Sequence, residues 1–311
     1  MYFTRLLTST AAFAVAATIA NAADMPMKAP PFAPPVVHQA SGYIEVYGGW
    51  GSTRFSDNIG FFNERFRGWA LGGAGRGNYW LSPNISMQLD AQAEGTSYKV
   101  DFGGGGFTAN QSSHSYLIGG HFNWRDSQRG LLGVFAAAGD QQGLFDFESR
   151  RHVIVGGEGQ IYWNQFTLYV QGGYDTSVGT YFFEPQAWFV RGTGRYFFTP
   201  NTMLEGTVLY ADGEIDFFFN PGDPQNFKIW LWEAKLEHRF AATPFALYIK
   251  YQGSEAKFDE SLAFDQSKVT DHRVLAGLRL FMGQNTLLSN DRQGATLDIK
   301  EFRALLPPIL N

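Results

Sequence analysis

From Gly42 onward the chain alternates apolar and polar residues. In ISMQLDAQAEG, Ile85, Met87, Leu89, Ala91 and Ala93 fall on one side; Ser86, Gln88, Asp90, Gln92 and Glu94 fall on the other. A period of two sends successive side chains to opposite faces of an extended strand. Such segments recur over 42–52, 68–81, 85–95, 115–125, 131–141, 152–163, 166–175, 186–198, 202–216, 227–240, 245–254 and 271–281, which predicts twelve strands. The 131–141 segment is the weakest, with little polar content on either side. Tight connections at Ser82-Pro83-Asn84, Asp126–Arg129, Asn164-Gln165, Thr199-Pro200-Asn201 and Ala241–Pro244 alternate with longer ones over 53–67, 96–114, 142–151, 176–185, 217–226 and 255–270. Pro, Asn and Asp are the residues that tight turns need. An all-β antiparallel meander with short turns at one rim and long loops at the other is the plan of a transmembrane β-barrel, with the short turns periplasmic and the long loops extracellular.

The turn centres predict registers. With Pro83 central, Tyr79 faces Met87 and Arg76 faces Asp90. With the turn at Asn164-Gln165, Ile161 faces Leu168 and Gln160 faces Tyr169. With Pro200 central, Tyr196 faces Leu204 and Arg195 faces Glu205. Apolar meets apolar on one face and mostly polar meets polar on the other, and a one-residue slip would invert every side chain. Each tight turn is preceded by aromatics: Tyr79-Trp80, Phe122 and Trp124, Tyr162-Trp163, Tyr196-Phe197-Phe198, and Phe240. Amphipathic rings favour the boundary between acyl chains and headgroups, so these groups predict an interfacial girdle. The Tyr181–Phe183 and Phe217–Phe219 runs in long connections are candidates for a second girdle.

Alternation alone also fits a soluble sandwich, and the N-terminus decides between the two. Arg5, the apolar stretch LLTSTAAFAVAATIA and the Ala20-Asn21-Ala22 cleavage signal read as a secretory signal peptide, cut before Ala23. Five prolines between residues 23 and 40 predict an extended leader rather than a helix or sheet. The chain has no Cys, so it stabilises itself without disulfides, and its net charge of −5 with no basic stripe excludes a nucleic-acid role.

The leader AADMPMKAPPFAPPV and the opening strand GYIEVYGGWG resemble the porin-like outer-membrane proteins of alphaproteobacteria. The resemblance implies a barrel in the outer membrane of a Gram-negative bacterium, surrounded by outer-membrane lipid and lipopolysaccharide and inserted by the barrel-assembly machinery. Family members are often eight-stranded and end on an aromatic residue. Here the last strand, DHRVLAGLRLF, ends at Phe281, which suits the assembly signal, and a further segment follows. In TLDIKEFRALLPP, Asp298 and Glu301 have the spacing of a capping box, Ile299, Phe302, Leu305 and Leu306 share a face, and Pro307 ends it. The expected organisation is a signal peptide over 1–22, a periplasmic leader over 23–41, the barrel over 42–281, and a C-terminal periplasmic extension with a candidate short helix over 282–311, either a frayed tail, docked on the barrel's periplasmic mouth or entering the lumen.

Charge in a spanning strand is costly against lipid and tolerable in a lumen. The pore-lining candidates are Arg76, Asp90, Glu94, Glu158, Arg191, Arg195, Glu205, Glu233, Lys235, Glu237, Arg239, Lys250, Arg273 and Arg279. They either line a narrow passive path for small polar solutes, or pair off, as Arg76–Asp90 and Arg195–Glu205 would, and close the lumen of a structural or surface-interaction barrel. Lipid-hydrolysing barrels need a nucleophile beside a base. His114 and Ser115 are neighbours on a strand and face opposite sides, and His152, near Ser149, sits among apolar residues, so no enzyme and no cofactor is expected. Asp212, Glu214 and Asp216 share a face beyond Tyr210 and are weak candidates for a hard cation such as Ca²⁺, bridging to lipopolysaccharide phosphates; a solvated strand extension is the plainer account. Oligomeric state is left open.

Overall fold

A computed structural model describes residues 39–57, 63–101, 108–142, 149–179, 183–217, 224–259 and 267–302. The expected signal peptide and nearly all of the leader lie outside these residues. The described residues form twelve antiparallel strands: β1 (Ala40–Asp57), β2 (Asn63–Ser82), β3 (Ile85–Asp101), β4 (Thr108–Asp126), β5 (Gly130–Gln142), β6 (Arg150–Trp163), β7 (Phe166–Ser177), β8 (Phe183–Thr199), β9 (Thr202–Phe217), β10 (Gln225–Arg239), β11 (Phe245–Phe258) and β12 (Ser267–Met282). Each strand pairs with the next, and β12 returns to β1 to close the barrel. Closure leaves no sheet edge, which a bilayer demands because it offers no water to an unpaired backbone. No helix of the described residues is long and apolar enough to cross a membrane; the strands cross it.

All six expected registers occur: Tyr79 pairs with Met87 and Arg76 with Asp90, Ile161 with Leu168 and Gln160 with Tyr169, Tyr196 with Leu204 and Arg195 with Glu205. The strands run further than expected at the long-loop rim. Residues 96–101 and 108–114, expected as a connection, belong to β3 and β4. There the ladder continues with Thr96, Ser97, Ser112 and Ser113, which are polar on both faces, so the apolar alternation fades while backbone pairing persists.

The outer wall is apolar and the inner wall mixed. Leu71, Leu89, Ile118 and Leu132 are 71%, 61%, 64% and 69% exposed on the outside. A band of aromatics bounds this surface at each end. At the tight-turn rim Tyr79, Phe122, Trp124, Trp163, Phe198 and Phe240 point outward. Their neighbours Trp80, Tyr162 and Phe197 are buried inside the barrel, because the pleat splits adjacent residues between faces. The expected girdle is therefore half girdle and half lumen. At the other rim, Trp50 lies edge-on to Trp69 at 5.1 Å, and Tyr210 contacts Trp188 at 5.7 Å and Trp230 at 4.8 Å. The sequence reading missed this band, and the runs it offered instead lie outside the described side chains. Trp188 and Phe198 both belong to β8; ten residue steps at about 3.3 Å, tilted by about 40°, give a band about 25 Å tall, the height of a membrane barrel's apolar belt.

Glycines seat aromatics on the inner wall. Tyr47 is paired with Gly72 and Tyr248 with Gly277, and a Cβ at either glycine would come within 2.4 Å of the ring.

Candidate functional site

The inner wall carries all fourteen candidate residues, with backbone register and parity placing each in the lumen. Strands about 4.8 Å apart and tilted by about 40° put twelve of them on a cylinder of Cα radius about 12 Å. Wall side chains reaching about 6 Å inward leave a passage about as wide as one extended peptide. One peptide fills it.

After β12 the chain turns back into the barrel. Thr286 caps a short helix, α1 (Leu287–Gln293): its Oγ1 accepts from the Ser289 amide at 2.9 Å, and the Ser289 hydroxyl accepts from the Thr286 amide at 3.1 Å. α1 sits inside the tight-turn rim. The Trp80 indole donates to the Gln293 carbonyl at 2.8 Å, Arg125 to the Gly294 carbonyl at 2.7 Å and Arg239 to the Gln284 carbonyl at 2.6 Å. Arg292 stacks over Tyr162 at 4.2 Å and donates to the Asn164 carbonyl at 3.0 Å. Tyr43, Phe197, Phe281, Leu287 and Ala295 form one apolar cluster beneath it. The inward-facing half of the aromatic groups thus clasps the helix.

Residues 295–302 then climb the lumen without helix. Seven steps of chain span at most about 23 Å of a hydrocarbon core about 30 Å thick. Gln88 satisfies both backbone groups of Leu297, accepting at 3.2 Å and donating at 2.8 Å. Gln92 donates to the Ile299 carbonyl at 3.2 Å. A Cβ at Gly119 would lie 2.6 Å from Ile299 Cδ1, so the glycine admits the segment. Higher up, Lys300 meets Glu233 at 2.5 Å, Glu301 lies 3.0 Å from His152, and the Phe302 ring packs on Phe189 at 5.4 Å.

Two expectations are resolved here. Of the placements open to the C-terminal segment, its described residues 284–302 take the lumen, and Asp298 caps no helix: the helix forms earlier, on Thr286, and residues 298–302 are not helical. Leu305, Leu306 and Pro307 lie outside the described residues. A two-turn helix is marginal alone, and Asp298 gains more from two guanidinium groups. Its carboxylate is 2.5 Å from Arg191 and 3.8 Å from Arg76.

The remaining candidates form connected pairs. Arg195 holds Glu205 at 2.7 Å, as expected, and reaches Asp291 at 2.9 Å and Thr296 at 2.7 Å on the inserted segment. Lys235 meets Glu205 at 2.8 Å and Glu237 at 3.5 Å. Arg279 bridges Glu45 and Glu237 at 2.5 and 2.7 Å, Arg273 bridges Asp271 and Glu94 at 2.6 Å each, and Lys250 lies 3.5 Å from Glu233. The expected Arg76–Asp90 pair does not form, although the two are in register. Asp90 instead accepts from Gln88 at 2.5 Å and lies 2.9 Å from His121, whose other nitrogen is 2.8 Å from Glu158; Arg76 turns to the Tyr43 hydroxyl and the inserted segment.

Glu45, Gln88, His121, Arg125, Tyr169, Gln171 and Asp271 also serve the lumen and were not singled out from sequence. Their strand parity, shared with neighbouring inner residues, was the available signal. His152, read as isolated, lies 3.0 Å from both Asp175 and Glu301. Ser149 bonds Asp140, while His114 faces outward and Ser115 inward, so these two neighbours do not meet. Asp212 accepts from Tyr210 at 2.9 Å and Glu214 from Gln186 at 2.6 Å; among the described residues no group of three or more His, Cys, Asp or Glu converges to hold a metal.

Two zones remain. Between the inserted segment and the wall lies a cavity of about 150 Å³ bordered by Tyr47, Glu94, Lys235, Lys250 and Arg273, with room for about five waters. Toward the long-loop rim the lumen is apolar: Phe189, Leu209, Ile229, Leu231 and Phe302 are at most 2% exposed. This inner apolar zone was not expected, and it accounts for part of the weak alternation of 131–141, where Phe135 and Ala137 face into it and Leu131 packs with Tyr169 and Leu297.

No family model and no curated protein sequence matches the chain. Among solved structures, an outer membrane channel from Pseudomonas putida F1 is similar, with a TM-score of 0.56 and 12% identity over 81% of this chain and 100% of that one. The translocator domain of the autotransporter NalP from Neisseria meningitidis has a TM-score of 0.47 and 12% identity over 90% of this chain and 99% of its own. At this identity the likeness to the channel is one of fold: the chain has the architecture of an outer-membrane β-barrel.

Proposed function

We propose that the protein is an outer-membrane channel for small polar solutes, without enzymatic activity, whose own C-terminal segment closes it in the state described here. The observation that carries this reading is that the obstruction is not part of the wall. Residues 284–302 add no strand to the ladder; they are held by side-chain contacts and leave a charged cavity beside them. A barrel meant only as a scaffold could fill a twelve-stranded lumen from its wall, as smaller barrels do. Here a detachable peptide does it, and removing that peptide leaves a lumen lined by charge of both signs. The tight turns then face the periplasm, and the segment inserts from that side.

The test is planar-bilayer recording of the full chain and of a chain ending at Met282. The expected result is a silent full chain, with rare openings, and steady resolved current steps from the shortened one. If the shortened barrel, shown to be folded, is equally silent, the closed-scaffold reading replaces the channel.

A further inference from the structure

The wall cations divide into two sets. Arg195, Lys235, Lys250, Arg273 and Arg279 each pair with a carboxylate on the wall itself. Arg191 and Arg76 do not: among the described residues the ion-pair partner of each is Asp298, on the inserted segment. Arg125 at the rim also depends on the segment, through the Gly294 carbonyl, and its Nε and Nη2 have no hydrogen-bond partner although the residue is fully buried. Arg191, 2% exposed, likewise has an unpartnered Nε. A buried guanidinium without a counter-charge is costly. The wall therefore receives part of its negative charge from a peptide that the proposed channel must displace in order to open.

We propose that the seat holding Asp298 is a binding site for small carboxylate solutes, and that the opened lumen takes such anions. The second half rests on the channel reading; the first does not. The Asp298 side chain already shows how a carboxylate sits there. Its two oxygens divide between Arg191 and Arg76, and planar guanidinium groups match carboxylates better than any other cation. Tyr169 lies beneath the Arg191 guanidinium at 4.8 Å and holds it in place. Gln171 donates to the Asp298 backbone carbonyl at 3.1 Å, so a free solute whose chain carries a carbonyl three bonds beyond its carboxylate carbon would find a neutral donor there. The charged cavity is bordered by Arg76 and Asp298, which gives a small ion a path to the seat. Uncompensated arginines from the rim to mid-lumen select anions in the way that charged rings do in other pores.

The seat is occupied in the unmodified chain, where a tethered carboxylate competes at an effective concentration in the millimolar range. The experiment is therefore a titration of ¹³C-acetate, followed by line broadening, into the full-length Asp298→Ala variant folded in detergent at constant chloride. Saturable acetate binding is expected in Asp298→Ala, weaker by at least about tenfold in Asp298→Ala with Arg191→Gln, and absent from the unmodified chain. Asp298→Ser opens the same seat should the alanine variant not fold. Binding equal in all of these proteins, or in none, would overturn the proposal. The measurement uses no membrane potential and no current. A seat that binds acetate in a barrel that stays silent after shortening would leave the site standing and remove the channel; current without acetate binding would do the reverse.

Discussion

Asp298→Lys is expected to expel the C-terminal segment from the lumen. The substitution removes a carboxylate 2.5 Å from Arg191 and 3.8 Å from Arg76 and puts a third cation in its place. At an effective dielectric near 20, each unit charge pair at about 4 Å is worth about 4 kcal/mol, so the swap turns two attractions of that order into two repulsions. The other anchors of residues 295–302 are the Gln88 and Gln92 hydrogen bonds to the backbone, each worth about 1 kcal/mol net, the Arg195 bond to Thr296, the Lys300–Glu233 and Glu301–His152 contacts and the packing of Phe302 on Phe189. The swap sets two repulsions against these in the middle of the stretch, while α1 keeps its own anchors at the rim. The wall ladder is untouched, so the barrel itself keeps its fold. Protease cleavage within 295–302 and continuous current in bilayers are the expected readouts. Arg191→Glu combined with Asp298→Lys restores the pair with its signs exchanged, and that double variant should close again. A single variant that stays protease-resistant and silent would show that the segment is held by something other than this pair.

Leu89→Arg is expected to prevent stable insertion, while its neighbour Asp90 tolerates polar replacement. Leu89 is 61% exposed on the outer face of β3, within the apolar belt between the two aromatic bands. An arginine at the bilayer midplane costs a membrane barrel about 2–4 kcal/mol. Asp90→Asn, one residue away, keeps an acceptor for the Gln88 amide and loses only the charge beside His121. Urea unfolding of the two variants in lipid vesicles separates the faces: a large loss for Leu89→Arg and a small one for Asp90→Asn. Similar losses for both would contradict the assignment of the outer face to lipid.

The barrel was legible because strand parity and turn chemistry are local. Pro83 and Pro200 set the turns, the turns set the registers, and the registers put Arg195 opposite Glu205. Three features were not legible, each for a physical reason. Arg76 and Asp90 face each other in register, but side chains in a crowded lumen choose among several partners, and His121 and Asp298 were closer competitors. Trp80, Tyr162 and Phe197 looked like girdle because the pattern of aromatics was read by rim and not by face; the pleat turns them inward onto α1. The inserted segment could not be placed because its anchors, such as Gln88 to Leu297 and Arg191 to Asp298, join residues 209 and 107 positions apart. Nothing in the local pattern of 295–302 distinguishes a peptide that threads a lumen from one that trails outside it.

Disulfide trapping tests that placement most directly, since the chain has no cysteine of its own. A Cβ at position 119 would lie 2.6 Å from Ile299 Cδ1, which puts the two Cβ atoms at most about 5 Å apart, near the Cβ–Cβ separation of about 3.5–4.5 Å that a disulfide needs. In the folded Gly119→Cys/Ile299→Cys barrel, mild oxidation should close an intramolecular bond between β4 and the C-terminal segment, visible by mass spectrometry after digestion. Two free thiols in a folded, oxidised barrel would contradict a lumen closed by its own C-terminus.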